Sequence, residues 1–188
     1  MAADHRFAGF PLPVVVHIVA AAAYALVGSL QFVGRFRRRH LIWHRRAGRV
    51  LAAAGLLVAT SALWMTLFYE AKPGTGDLLF LLRLAFASAM VAALVLGVTA
   101  ARRGDVAAHR AWMVRAYAIA LAAGTQAFTE GISAALFGTG VMTADVAKGA
   151  GWVINLAIAE LAVRRPTRLA ISASPAPHDD SRTAGALP

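Results

Sequence analysis

The stretch LLFLLRLAFASAMVAALVLGVTAA, residues 78–101, contains one charged side chain, Arg83, among its 24 residues. An α-helix rises about 1.5 Å per residue, so this stretch would form a helix about 36 Å long, whereas the hydrocarbon core of a bilayer is about 30 Å thick. An apolar run of this length is typical of a helix that crosses a membrane. The stretch therefore predicts a membrane-spanning helix.

Four further apolar runs accompany it along the chain. The predicted spans are 12–34, 47–69, 78–101, 112–137 and 146–163. Hydrophobic residues make up 59% of the chain and charged residues only 15%, whereas about a quarter of the residues of a soluble domain are charged. We therefore predict an all-α integral membrane protein, with a bundle of about five transmembrane helices over residues 12–163.

The arginines fall on one side of this predicted bundle. They concentrate at 35–49, 102–115 and 164–168, whereas on the opposite side, at 70–77 and around 145–148, the only basic residues are Lys72 and Lys148. Cytoplasmic loops of membrane proteins carry an excess of Lys and Arg. The pattern therefore predicts an external N-terminus, a cytoplasmic C-terminus and a multi-pass location in the cytoplasmic membrane of a bacterial cell.

The two termini lie outside the predicted membrane domain. Residues 1–11 form the external N-terminal segment, and residues 164–188 are rich in Pro, Ser, Ala and Asp without hydrophobic periodicity. Such a composition is typical of disorder, so we predict a disordered cytoplasmic tail.

The formal net charge is +10, which in a soluble protein would suggest nucleic-acid binding. Here the clustering of arginines in short loops is what membrane topology alone produces. The predicted partner is the lipid bilayer and not a nucleic acid. A second copy of the chain or another membrane subunit are further partners that the sequence leaves open.

Complete catalytic motifs are missing from the sequence. The chain has no cysteine and only nine acidic residues, which excludes disulfides and thiolate chemistry and leaves few groups for hydrolysis or divalent metals. We therefore assign no catalytic residue and no metal ligand, and whether the protein is an enzyme stays open.

Four polar residues inside the predicted spans form the first candidate site. His17, Arg83, Gln126 and Glu130 all fall in the outer half of the bundle. Ionisable groups inside a membrane are costly and often functional, so we predict a ligand-binding pocket for a small ligand, an ion or a proton, with Arg83 paired to Glu130. The alternatives are a buried ion pair that joins helices without a ligand, or an Arg83 side chain that extends to the interface.

His44 and His109 form the second candidate site. Both lie at the cytoplasmic starts of predicted spans, hence at the same depth. Two histidines at matched depth on facing helices can hold a haem b, so a haem- or quinone-binding redox protein is the alternative function. Anchoring of the helix ends in the headgroup region explains the same residues without a cofactor.

Two polar residues in the last predicted span have local explanations. Asn155 is expected to form hydrogen bonds between helices. Glu160 lies four residues before Arg164, a spacing that brings the two side chains together on one helix face. We therefore expect a helix-end ion pair there.

Short pieces along the chain together form a recognisable pattern. They are His17, residues 28–32 (GSLQF), 44–49 (HRRAGR), 103–105 (RGD) and 109–115 (HRAWMVR), then Trp152, Asn155 and Glu160. In their order and spacing they resemble a bacterial family of predicted membrane proteins catalogued as domain of unknown function 2306. The resemblance runs from the first to the last predicted span and implies a multi-span fold without naming a reaction.

One position departs from this family's pattern. Its members often carry an arginine where this chain has Gln126. If that arginine holds an anionic ligand in relatives, the resemblance implies that the function is lost or moved here. A structural or accessory membrane subunit without a ligand is the third function that the sequence leaves open.

Overall fold

The computed structural model of the protein describes residues 9–164, which form seven α-helices and no strand. The helices are α1 (Leu12–Phe32), α2 (Gly34–Arg39), α3 (Leu41–Phe68), α4 (Asp77–Arg102), α5 (Val106–Ala120), α6 (Ala122–Phe137) and α7 (Val141–Arg164). This architecture confirms the all-α class. The predicted disordered tail lies outside the described residues, apart from Arg164, as does most of the N-terminal segment.

Four of these helices, α1, α3, α4 and α7, are long and apolar enough to cross a membrane. Two of them extend beyond the apolar runs that predicted them. Helix α3 begins at Leu41 and includes Arg45, and α7 begins at Val141 and includes Asp145. Charged residues end an apolar run but do not end a helix, and arginine is a good helix former.

The fourth predicted span, 112–137, is divided into two helices at Leu121. Helices α5 and α6 contain 15 and 16 residues. The Leu121 N–H still donates to the Tyr117 carbonyl at 3.0 Å, but Gly124 donates back to Leu121 at 3.1 Å, a tighter spacing than that of an α-helix. Glycine is a common cause of helix kinks. The chain thus keeps a helical backbone through a local break.

The helices pack in an order set by their connections. Helix α1 packs on α3, α3 on α4, and α4 on α5, while α7 lies against α4, α5 and α6. The buried core comprises Ala20, Tyr24, Leu51, Val58, Ala59, Met90, Ala93, Leu94, Ala116 and Ile119. Gly55 allows a close approach here, because a Cβ at this position would lie 2.8 Å from the Tyr24 ring. Small residues at helix contacts are typical of membrane bundles.

The outer surface of the bundle is apolar. Leu26, Phe128 and Phe137 are more than 70% exposed, and many other large aliphatic side chains point outwards. A soluble monomer rarely exposes apolar patches of this extent. The surface is therefore suited to contact with lipid.

Candidate functional site

Gln31, His44 and His109 lie at the same end of the bundle. Gln31 is in the last turn of α1, and the two histidines are in the first turns of α3 and α5. The arginines of residues 35–49 and 102–110 are at this end too, and we call it the arginine-rich end. The His109 ring is close enough to His44 to act on it electrostatically. We refer to Gln31, His44 and His109 as the arginine-end site.

The orientation of His109 is fixed by the backbone of α4. Its Nδ1 lies 2.9 Å from the Gly97 carbonyl oxygen. A carbonyl oxygen only accepts hydrogen bonds, so Nδ1 carries the proton, and in the neutral ring Nε2 keeps its lone pair. The ring can therefore accept a hydrogen bond or bind a Lewis acid through Nε2.

Gln31 and His44 contain buried polar atoms without a hydrogen-bond partner. These atoms are Nε2 and Oε1 of Gln31 and Nδ1 of His44. A Cβ on Gly48 would lie 3.9 Å from Gln31 Oε1, so the α3 backbone runs beside the amide. Leaving a buried donor or acceptor unpaired costs about 1–3 kcal/mol, and such groups call for a specific explanation.

The electrostatic surroundings of His44 are positive. Arg37 and Arg45 both act on its ring, and residues 5–69 contain no acidic side chain. Sequence analysis identified His44 and His109 but not Gln31. Two signals were available for Gln31: it is one of the few polar residues of the first predicted span, and it lies in the family piece 28–32.

The opposite half of the bundle contains the four residues of the first candidate site. His17 Nδ1 lies 3.1 Å from the Val58 carbonyl and 3.0 Å from the Ser61 hydroxyl, both on α3. Ser61 Oγ in turn lies 3.0 Å from the Val58 carbonyl. Nδ1 of His17 is thus satisfied by contacts that join α1 to α3.

Gln126 and Glu130 bind to α7 instead. Gln126 Nε2 donates to the Lys148 carbonyl at 3.1 Å, and Glu130 Oε2 lies 2.7 Å from the Lys148 Nζ. The ion pair seen for Glu130 is therefore with Lys148, which lies near the outer end of the fifth predicted span. Arg83 lies half-buried on α4. These contacts attach His17 to α3 and Glu130 to α7, and a common pocket for all four residues stays a prediction.

An open cleft of about 370 Å³ lies beside the turn between α6 and α7. Glu130, Thr139 and Thr143 are among the residues that line it. The Lys148 side chain is only 18% exposed and neutralises the carboxylate of Glu130. The acid of this cleft therefore already has its counter-ion.

Asp145 is a buried acid that sequence analysis placed in a connection. It is 1% exposed, and its Oδ2 accepts the backbone N–H groups of Gly76 and Leu79 at 3.0 and 3.2 Å. The first N–H groups of a helix lack partners within it. Asp145 of α7 thus caps the start of α4.

Glu160 binds two arginines. Its carboxylate receives Arg115 Nε at 2.5 Å and Nη2 at 3.2 Å, and Arg164 Nε at 3.3 Å. The contact with Arg164 confirms the ion pair expected from their spacing. The two-point contact with Arg115 joins α5 to α7 and was not predicted, because the two residues are 45 positions apart.

Asn155 lies against the break between α5 and α6. Its Nδ2 donates to the Ala118 carbonyl at 3.1 Å, and its Oδ1 accepts the Thr125 hydroxyl at 2.8 Å. These bonds confirm the expectation of hydrogen bonding between helices. One side chain of α7 therefore contacts both halves of the divided span.

Within residues 9–164, histidine and acidic side chains nowhere gather in a group of three that could hold a metal ion. A haem b needs only two histidine ligands from the protein, so the lack of such a group does not bear on His44 and His109.

Composition and helix length indicate a membrane protein, and comparison with protein families agrees. The model of the predicted membrane protein family DUF2306 matches residues 14–163. The chain belongs to this family. The match covers all the helices that could span a membrane, apart from their ends, and it confirms the resemblance found in the sequence. No curated protein and no solved structure matches this DUF2306 member.

Proposed function

We propose that this membrane protein binds a small polar ligand at the arginine-end site. The main support is that Gln31 and His44, on neighbouring helices, together bury three polar atoms without hydrogen-bond partners. Natural proteins keep few such atoms, and a ligand that pairs with them would remove their desolvation cost. The Nε2 of His109, at the same end of the bundle, supplies a further acceptor.

The opposite half of the bundle supports ligand binding less well. His17, Gln126, Glu130 and Lys148 all have partners within the protein. A polar network with satisfied contacts joins helices and needs no ligand to explain it. We therefore assign His17, Gln126 and Glu130 a structural role, while Arg83 remains a candidate at the edge of this region.

A haem b between His44 and His109 is the second candidate. The bond from His109 Nδ1 to the Gly97 carbonyl favours it, because metal-bound histidines usually donate their other N–H to such a group. The unpartnered Nδ1 of His44 argues against it, since that ring lacks the same support. A spectrum of the dithionite-reduced protein tests it: sharp α and Soret bands that are lost in His44→Ala would establish haem.

We infer that α5 and α6 together form a fifth crossing. With the break at Leu121 they cover residues 106–137, more than the roughly 20 residues that a bilayer core requires. An odd number of crossings places the two termini on opposite sides. The excess of arginine then favours a cytoplasmic arginine-rich end and C-terminus, with the N-terminus outside.

The proposed ligand site is tested by replacing Gln31 with leucine and comparing the result with the same replacement at Gln126. Gln31→Leu removes an amide that has no partner, whereas Gln126→Leu removes an amide that binds the Lys148 carbonyl. In detergent and without added ligand, Gln31→Leu should leave the melting temperature unchanged or raise it, and Gln126→Leu should lower it. Equal losses in the two variants would make Gln31 a structural residue and overturn the proposal.

A further inference from the structure

The chemistry of the arginine-end site selects among ligand classes. This step rests on the proposed function, since it asks what the ligand is. Gln31 Nε2 and His44 Nδ1 are the unpaired groups that can donate hydrogen bonds. Arg37 is half-buried nearby and acts on the His44 ring. Unpaired donors on neighbouring helices with a cation nearby are suited to an anion, because hydrogen bonds to a charged group are stronger than those between neutral groups.

The acids that could neutralise this end of the bundle have other partners. Asp105 accepts the Ala108 N–H at 2.9 Å and caps α5. Glu160 is bound by Arg115 and Arg164. Among the described residues, neither carboxylate forms an ion pair with Arg37, so an external anion can act as its counter-ion.

The position of the site favours an amphiphilic anion. Gln31 is the penultimate residue of an apolar helix, and Trp43 and Phe36 pack edge to face with ring centroids 4.9 Å apart just beyond it. Aromatic residues are enriched at the depth of lipid headgroups. The apolar side chain of Leu30 is 40% exposed beside Gln31. A headgroup at Gln31 would thus leave its acyl chains along α1.

Helix α2 is the element beside the arginine-end site whose displacement would expose its buried atoms. This six-residue helix has no buried residue, and its main contacts are with α1 and α3. Few contacts are lost when it shifts, so its displacement is the least costly way to open the site.

We propose that the arginine-end site binds a phosphate ester group, with Gln31 and His44 as hydrogen-bond donors and Arg37 as the counter-ion. The phosphate belongs either to an anionic phospholipid or to a soluble phosphate ester, and the position of the site favours the lipid. The ester oxygens accept from Gln31 Nε2 and His44 Nδ1, and a hydroxyl of the same headgroup donates to Gln31 Oε1.

The experiment measures binding to the full-length protein in a neutral detergent through the fluorescence of its tryptophans, of which Trp43 lies next to His44. The probes are dioctanoyl phosphatidylglycerol, dioctanoyl phosphatidylcholine, glycerol 3-phosphate and decylubiquinone. Phosphatidylglycerol should bind at least about tenfold more tightly than phosphatidylcholine. Phosphatidylcholine carries the same phosphate diester, but Arg37 would repel its trimethylammonium group, and it offers no headgroup hydroxyl to Gln31 Oε1. A tenfold ratio corresponds to about 1.4 kcal/mol.

Matched variants separate the site from general attraction to positive charge. Gln31→Leu and Arg37→Gln should each weaken phosphatidylglycerol binding about tenfold. Arg39→Gln removes the same charge from an exposed position of α2 and should change it less than about twofold. Equal effects of Arg37→Gln and Arg39→Gln would overturn the proposal, as would equal binding of the two phospholipids.

The other two probes show whether the phosphate belongs to a lipid or to a soluble ester, and which of the two proposals fails if binding is not as expected. Glycerol 3-phosphate that binds as tightly as phosphatidylglycerol, with the same dependence on Gln31, would support the phosphate site and assign it to a soluble ester. Decylubiquinone binding that requires Gln31 and His44, without phosphate binding, would overturn this inference and leave the proposed function standing. If no probe depends on Gln31, both fail.

Discussion

Asp145, in the second turn of α7, accepts the backbone N–H of Leu79, in the first turn of α4, and both residues are 1% exposed. The same carboxylate oxygen accepts the Gly76 N–H. The contact holds the start of one long helix against the side of another. A cap supplied by a different helix fixes the position of two elements at once.

Asp145→Ala should therefore destabilise the protein by about 1–3 kcal/mol, the cost of a lost cap and of buried N–H groups without partners. Asp145→Asn keeps a side-chain oxygen for these groups and should cost less. Asp77→Ala is the matched control, because Asp77 is exposed in the first turn of the same helix and makes no side-chain cap. Thermal unfolding in detergent measures all three, and equal losses for Asp145→Ala and Asp77→Ala would refute the capping role.

The start of α7 and the partners of Asp145 and Lys148 could not be predicted from the sequence. The long apolar runs predicted α1 and α4 closely, because a run of that length has few other structures open to it. The charged side chains near 145 lowered the apolar character of the chain, and the fifth span was predicted to begin at 146 although α7 begins at Val141. Their partners, Leu79 and Glu130, lie 66 and 18 residues away, and no local pattern predicts such contacts.

The candidate sites also contain some features that local spacing predicts and others that depend on how the helices pack. The spacing of four residues predicted the contact of Glu160 with Arg164, since helix periodicity alone brings them together. The two histidines of the arginine-end site were predicted from matched depth. That Gln31 would bury its amide without a partner depends on how α1 packs against α3, and this is a property of the assembled bundle.

The break at Leu121 yields a second prediction. Asn155→Ala removes both hydrogen bonds to the divided span and should destabilise the protein by about 1 kcal/mol, because hydrogen bonds between membrane helices average about 0.6 kcal/mol each. Thr125→Val removes only one of them and should cost about half as much. Thr129→Val is the control within α6, since the Thr129 hydroxyl binds the carbonyl of Gln126 in its own helix. If Thr129→Val costs as much as Thr125→Val in thermal unfolding, the bond from Thr125 to Asn155 contributes no specific stability, and if Asn155→Ala costs no more than Thr129→Val, Asn155 does not stabilise the break.

The two arginines bound to Glu160 should contribute unequally. Arg115 is 26% exposed and makes a two-point contact, whereas Arg164 is 79% exposed and makes a single one. A double-mutant cycle of Arg115→Ala with Glu160→Ala should therefore give the larger coupling energy, and the cycle of Arg164→Ala with Glu160→Ala should give little. The coupling of the Arg115 pair should also weaken less when salt is raised. A larger coupling for Arg164 than for Arg115 would contradict this prediction.

The proposed topology can be mapped with single cysteines, because the chain has none of its own. Lys72→Cys and Arg103→Cys lie in the exposed connections before and after α4, and Thr139→Cys lies in the exposed turn after α6. A membrane-impermeant maleimide added to intact cells should label positions 72 and 139, and position 103 should react only after the membrane is opened. If α5 and α6 do not cross together, position 139 will behave like position 103. If instead position 103 alone is labelled in intact cells, the arginine-rich end faces outwards, and the positive-inside assignment fails for this bundle.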